Sequence, residues 1–178
     1  MESSSCTGHS EKEIWHIVDQ VCSAAEEVLS PEDDLYNSKG DEAFKQIGKE
    51  IVGCGTRRIV LEICEEHVLK VEPFGSDFTT KEFEVWNSAD SKVREALCPI
   101  LGCSGKSSVG WTLMPRCDLN QEIDWEDPIL ERIPWIGELG DGNVGYLNGR
   151  LVALDYDYIR DEVAADKALS KALQMDGL

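Results

Sequence analysis

Near the C-terminal end of the chain stand a carboxylate, an amide and a second carboxylate: Glu138, Asn143 and Asp155. An acid that can take a proton, followed by hard oxygen ligands from two separate segments, is what a divalent cation and a phosphate-bearing substrate demand. A positive group for the phosphates lies upstream as Lys70, within Val68-Leu69-Lys70-Val71. Each residue has a plainer reading. Asp141-Gly142-Asn143 serves as an ordinary turn, Asp155 as a loop cap, and Lys70 as a surface lysine on a strand. The order of the whole set, lysine first and the oxygen ligands later, favours chemistry over those readings.

These residues need elements to hold them. Arg58-Ile59-Val60-Leu61-Glu62-Ile63 and His67-Val68-Leu69-Lys70-Val71 read as two strands of a hairpin across the polar turn Cys64-Glu65-Glu66. Alternation then turns Lys70 away from Leu69 and Val71. On an inner face it needs an anion, either Glu82 or Glu84 of a helix expected over 79–90, or a nucleotide phosphate. Gly53-Cys54-Gly55 precedes the hairpin, and glycines one residue apart let the backbone approach a ligand closely. Downstream, Asn148-Gly149 separates Val144–Leu147 from Arg150–Leu154. Asn-Gly between apolar runs predicts a hairpin with a type I′ turn.

The remaining elements are scaffolding. Ser10 and Glu13 form a capping-box pattern, and Ile14, Trp15, Val18, Val21, Cys22, Ala25 and Val28 share one helical face up to Ser30-Pro31. A second helix is expected over 41–50, with Phe44, Ile47 and Ile51 on one side. A helix carrying Phe83, Val85 and Trp86 and a shorter one near 91–97 lead to Pro99. Ile100–Cys103 and Val109–Met114 read as a strand pair. Residues 119–136 are acidic and read as weakly helical, 159–174 as an amphipathic helix, and 1–9 as disordered. Trp15, Trp86, Trp111, Trp125 and Trp135 are expected as core anchors. His9, His16 and His67 have no metal-site spacing.

Composition narrows the function classes. A chain of 178 residues makes one domain or two small lobes. It has no apolar run of about 18 residues and no signal-peptide pattern at Met1-Glu2-Ser3-Ser4-Ser5, so a cytoplasmic location without a membrane partner is expected. The seven cysteines are odd in number and contain no C-x-x-C, which predicts free thiols in a reducing compartment rather than zinc or disulfides. The net charge of −18 is uneven: 12 acids against 4 bases in 1–50, 10 against 8 in 51–118, and 13 against 5 in 119–178. Such flanks disfavour direct nucleic-acid binding. They suit a solubilised surface or docking onto a basic protein partner. The sequence sets no oligomeric state.

From about Ile51 to Asp157 the ordered set resembles the protein-kinase-like fold, closest in look to small, truncated kinase-like proteins of phages, archaea and their viruses. Gly53 and Gly55 look like part of the glycine-rich loop. Lys70 looks like the strand lysine that holds nucleotide phosphates, and Glu82 like the helix glutamate that pairs with it. Met114-Pro115-Arg116-Cys117-Asp118 is similar to the hinge that meets adenine, with Met114 and Arg116 beside the nucleotide. Glu138 to Asn143 resembles the catalytic loop, and Leu154-Asp155-Tyr156-Asp157 the metal motif. The resemblance implies a compact α+β kinase-like fold: an N-terminal helical extension (1–50), an N-lobe and hinge (51–118), and a reduced C-lobe (119–178). It also implies ATP and Mg²⁺ as cofactors, with Asn143 and Asp155 on the metal, Lys70 on the phosphates and Glu138 as base of an ATP-dependent phosphotransferase. Three departures stand out. Glu138 replaces the usual Asp, Asp157 replaces a glycine, and only about twenty residues separate Asp118 from Glu138. These fit weak or specialised phosphoryl transfer, or else a non-catalytic acidic binding module that engages or inhibits a basic, nucleic-acid-binding protein.

Overall fold

The computed structural model describes residues 10–28, 44, 45, 48–54, 58–73, 78–104, 109–136, 139, 140 and 142–156. It is a mixed α+β structure whose elements divide into two compact units. The first is Met1–Thr80 with Ile100–Arg116, and the second is Lys81–Pro99 with Cys117–Leu178.

The first unit is a five-stranded sheet with a helix on one face. Helix α1 spans Glu11–Val28. The expected capping box closes it: the Ser10 backbone N–H donates to Glu13 Oε2 at 2.6 Å, and the Glu13 N–H reaches back to Ser10 Oγ at 3.4 Å. Strands β1 (Ile51–Cys54), β2 (Ile59–Cys64), β3 (His67–Pro73), β4 (Gly102–Ser104) and β5 (Val109–Pro115) make an antiparallel sheet in the order β1-β2-β3-β5-β4. Ile14, Val18, Val21 and Ala25 of α1 join Phe44, Ile59, Leu61, Ile63, Leu69, Val71, Val109 and Leu113 in one apolar cluster. Every member from β2, β3 and β5 is an alternate residue, so α1 seals one face of the sheet. Trp15 and Trp111 pack against this cluster with ring centroids 6.0 Å apart. Gly102 is required beside them, because a Cβ there would lie 2.4 Å from the Trp15 ring.

The second helix expected over 41–50 falls largely outside the described residues. Its described part is a helical turn at Phe44 and Lys45. The Gly48 N–H donates to the Lys45 carbonyl and the Lys49 N–H to the Phe44 carbonyl, with Gly48 at φ +70°. That pair of bonds is a Schellman stop, which needs the glycine. Ile51 belongs to β1 and not to a helical face.

Helix α2 spans Phe78–Ser88, and its residues from Lys81 onward belong to the second unit. Its buried side is Thr79, Glu82 and Val85, whereas Phe83 is 37% exposed. Helical spacing from Val85 selects Glu82 and Thr79, not Phe83. Arg94 of α3 (Ser91–Glu95) donates to the Trp86 and Asn87 carbonyls at 3.0 and 2.9 Å, satisfying the end of α2. Asp90 caps α3 through the Val93 N–H at 2.8 Å.

The second unit also holds the hairpin β6 (Val144–Leu147) and β7 (Arg150–Ala153). Asn148 and Gly149 have φ of 53° and 77°, as a type I′ turn requires. β7 is tied to the segment after α3 by a parallel bridge of Leu97 with Ala153 and by Cys98 N–H to Ala153 O at 2.8 Å. Residues 119–136 correct the sequence reading. They are turns with one 3₁₀ turn at Leu130–Arg132, not a helix. Asp118, Asp124 and Asp127 each accept the backbone N–H two residues on, at 2.9, 3.0 and 2.8 Å. These Asx turns compete with helical bonds, and Pro128 and Pro134 remove two donors. Trp135 is buried, but Trp125 is 47% exposed and anchors no core. The expected tail helix over 159–174 and residues 1–9 lie outside the described residues.

Candidate functional site

The face of the sheet opposite α1 carries the candidate residues of the first unit. Lys70 pairs across β3 with Val60 on β2 and with Thr112 on β5. Gly53 pairs with Val60, and Cys103 with Thr112. Gly53, Val60, Lys70, Thr112 and Cys103 therefore form one cross-strand row. The next positions on this face, Val68 and Met114, pair with each other on one side of the row, and Glu72 pairs with Gly110 on the other. Gly53, Lys70 and Met114 thus share a face. Gly53 sits within strand β1 and not in the turn where the sequence placed it.

Lys70 is 6% exposed, which overturns the reading of it as a surface lysine. A lysine that deep has left water, and it has a partner within the protein. Glu72, two residues on, is 1% exposed and takes the Thr79 N–H on both carboxylate oxygens at 3.1 Å, so it caps the start of α2. Gly110 makes room for it, since a Cβ at 110 would sit 2.6 Å from Glu72 Cγ. Thr112 Oγ1, beside Lys70, is buried with no protein hydrogen-bond partner, and Thr79 Oγ1 is in the same position. Sequence reasoning missed Glu72, Thr112 and Thr79. Alternation from Lys70 and the facing strand β5 were the available signals for the first two.

Arg116 is turned to the edge of the sheet. Its guanidinium bonds Glu62 at 2.6 Å, with both side chains partly exposed, and its N–H donates to the Glu66 carbonyl at 2.7 Å. An exposed pair of this kind contributes at most about 1 kcal/mol. In the turn between β2 and β3, Cys64 Sγ lies 3.3 Å from His67 Nδ1. Burial pushes the His67 pKa below 6.5, against the opposing pull of Glu66.

In the second unit, Glu82 is completely buried and carries a partner. Asn143 and Asp155 bracket the hairpin and are drawn together at its open end, where the Leu154 N–H donates to the Asn143 carbonyl at 2.8 Å. Asn143 closes its own turn through its N–H to Gly140 O at 2.9 Å, with Gly142 at φ +91°. Tyr156, fully buried, fixes the segment after Asp155 by donating its hydroxyl to the Cys98 carbonyl at 2.8 Å. Asp118 bridges to Tyr146, and hydrogen bonds from Gln121 and then Asn120 hold its carboxyl below the usual carboxylate range. Gly55, Glu138, Asp141 and Asp157 lie outside the described residues.

Among the described residues no group of three or more His, Cys, Asp or Glu side chains is placed to hold a metal. Mg²⁺ bound through one carboxylate, substrate phosphates and water does not call for one. An open depression lined by Lys45, Gly48, Lys49, Glu50 and Ile51 includes none of the residues selected from sequence. Among the described residues no helix is long and apolar enough to cross a membrane. No family model matches the chain, and no curated protein matches it.

Proposed function

We propose that the protein is a kinase-like binder of ATP and Mg²⁺ with weak or specialised phosphoryl transfer. The observation that carries this reading is the burial of Lys70 on the third strand of an antiparallel sheet, on the face opposite the helix-sealed one. Protein kinases hold nucleotide phosphates with a third-strand lysine, pair it with a glutamate on the next helix, and hold Mg²⁺ with an Asn and an Asp. Glu82 is a buried glutamate on the helix that follows Lys70, and Asn143 and Asp155 flank the open end of one hairpin, where the Leu154 N–H bonds the Asn143 carbonyl. The orphaned Thr112 hydroxyl beside Lys70 fits a polar ligand on that face.

On this reading Lys70 neutralises phosphate charge, and Glu82 stands in sequence where kinases carry the glutamate that pairs with their lysine. Asn143 and Asp155 would hold Mg²⁺, which supplies charge neutralisation when bound. Gly53 and Gly55 let backbone approach the phosphates, and the Met114–Arg116 stretch faces the adenine. Glu138 accepts the proton of the acceptor. Its extra methylene relative to Asp moves the carboxylate by roughly 1 Å, a misplacement that can cost on the order of 100-fold in rate. Thermal unfolding with and without millimolar ATP and Mg²⁺ tests the reading. Nucleotide with metal is expected to raise the Tm, and Lys70→Ala or Asp155→Ala to abolish the rise. Absence of any rise in the intact protein would sink the reading.

A second reading, a non-catalytic module that docks a basic protein, draws on one observation. Leu119 and Trp125 are 53% and 47% exposed in a stretch that also carries Asp118, Glu122, Asp124, Glu126, Asp127 and Glu131. An apolar ring amid carboxylates suits a basic, partly apolar surface. Capture of such a partner should survive Lys70→Ala and fail both with Trp125→Ala and in high salt. Phosphate transfer from ATP that is lost in Lys70→Ala would count against it.

A further inference from the structure

Two thiols far apart in sequence meet in the second unit. Cys98 Sγ lies 3.7 Å from Cys117 Sγ. Cys98 is 1% exposed, whereas Cys117 is partly open to solvent. We propose that Cys98 and Cys117 are a peroxide-responsive dithiol that closes to an intramolecular disulfide in the folded protein.

The unequal exposure assigns the roles. Cys117 meets the oxidant. Its thiolate attacks hydrogen peroxide, an S–O bond forms, the O–O bond breaks, and hydroxide leaves, giving a sulfenic acid. Cys98 then attacks the Cys117 sulfur. The S–S bond forms as the S–O bond breaks, and the departing hydroxide takes the Cys98 proton as water. In total, two thiols and one peroxide, with the first hydroxide protonated, give one disulfide and two waters. Buried Cys98 is shielded from peroxide itself and sits within reach of the sulfur it resolves. Contact at 3.7 Å leaves the sulfurs to close to about 2.05 Å, a modest side-chain movement.

Two of the other thiols are poor competitors. Burial, reinforced by Asp19 and Glu26, pushes Cys22 up to about 12, and burial also raises Cys103, so neither supplies much of the reactive thiolate. The position of the pair gives the bond its effect. The chain leaves the second unit after Pro99 and re-enters it at Cys117, so the bond would join the two points of exit and return. It would also add a covalent tie to a region already held by Cys98 N–H to Ala153 O, Tyr156 Oη to Cys98 O, and Asp118 to Tyr146. Those bonds hold β6 and β7, the hairpin that carries Asn143 and Asp155 at its open end.

The test is stoichiometric peroxide on the reduced, folded full chain carrying Cys54→Ser, which removes an exposed thiol that would cross-link molecules. The expected result is a protein lighter by two hydrogens, with one peptide joining Cys98 to Cys117. Its Tm should rise by roughly 5–10 °C, as closing a loop of this length predicts, and dithiothreitol should reverse the rise. Cys117→Ser should show neither the linked peptide nor the rise. Should that variant fail to fold, Cys117→Ala and the peptide map of the parent decide. A map with Cys98 and Cys117 as separate thiols or oxyacids, or bridged to other cysteines, overturns the proposal.

Discussion

Both faces of the sheet's central strands carry buried side chains, yet they are built from different chemistry. Toward α1, β2, β3 and β5 present Ile59, Leu61, Ile63, Leu69, Val71, Val109 and Leu113. On the other side the same strands present Lys70, Glu72, Thr112 and Met114, all at most 6% exposed. The first face gains free energy from every contact it makes. The second gives up hydration of two charged groups and an unpartnered hydroxyl. Glu72 serves the fold as the cap of α2, but apolar residues at the Lys70 and Thr112 positions would satisfy the sheet equally well. On the proposed reading, the difference separates what holds the molecule together from what it would bind.

Substitutions can break this contrast or sharpen it. The largest effect on folding belongs to the α1 face. Leu69→Ala should cost about 2–5 kcal/mol in chemical unfolding, yet leave an ATP-dependent rise in Tm measurable from the lower baseline. Lys70→Met, its neighbour on the other face, should remove the ATP-dependent rise altogether. If both variants kept the rise, the functional division of the faces would fail. Gly110→Ala forces Glu72 from its cap on α2 and should cost about 1–3 kcal/mol, read from the urea midpoint. Tyr156→Phe, outside the sheet, should cost about 1 kcal/mol through the bond to Cys98 O. The smallest effect is acid-dependent. His67 has a folded pKa below 6.5, so the unfolded chain binds its proton first. Its contribution is complete above pH 6.5 and is lost as the pH falls from there through the folded value. His67→Gln should flatten that part of the stability profile.

The sheet and α1 were legible in the sequence because period-2 and period-3.6 patterns there agree with the caps and turns at their ends. Ser10 with Glu13 and Asn148 with Gly149 each fixed a boundary through local bonds. Residues 119–136 were misread because acidic and apolar residues at mixed spacing imitate a weak helix, while aspartates acting on their own backbone decide the outcome. Of the candidate residues, the alignment of Gly53, Lys70 and Met114 on one face could be anticipated from register. The roles of Glu72 and Thr112 were signalled only by alternation from Lys70 and by the pairing of β3 with β5, since a glutamate on one strand and a threonine on another otherwise look like ordinary surface residues.

The strand order β1-β2-β3-β5-β4 also has a consequence for how the chain is made. As the polypeptide leaves the ribosome, β1, β2 and β3 can pair as soon as Pro73 has emerged. The outer backbone groups of β3 then stay unpaired until Val109–Pro115 arrive, after the segment Lys81–Pro99 of the other unit has been synthesised. An open strand edge during translation invites pairing with another nascent chain. Glu72 and Lys70 alternate along that edge with Leu69 and Val71. During this interval the charges that later face inward would act as a guard against aggregation.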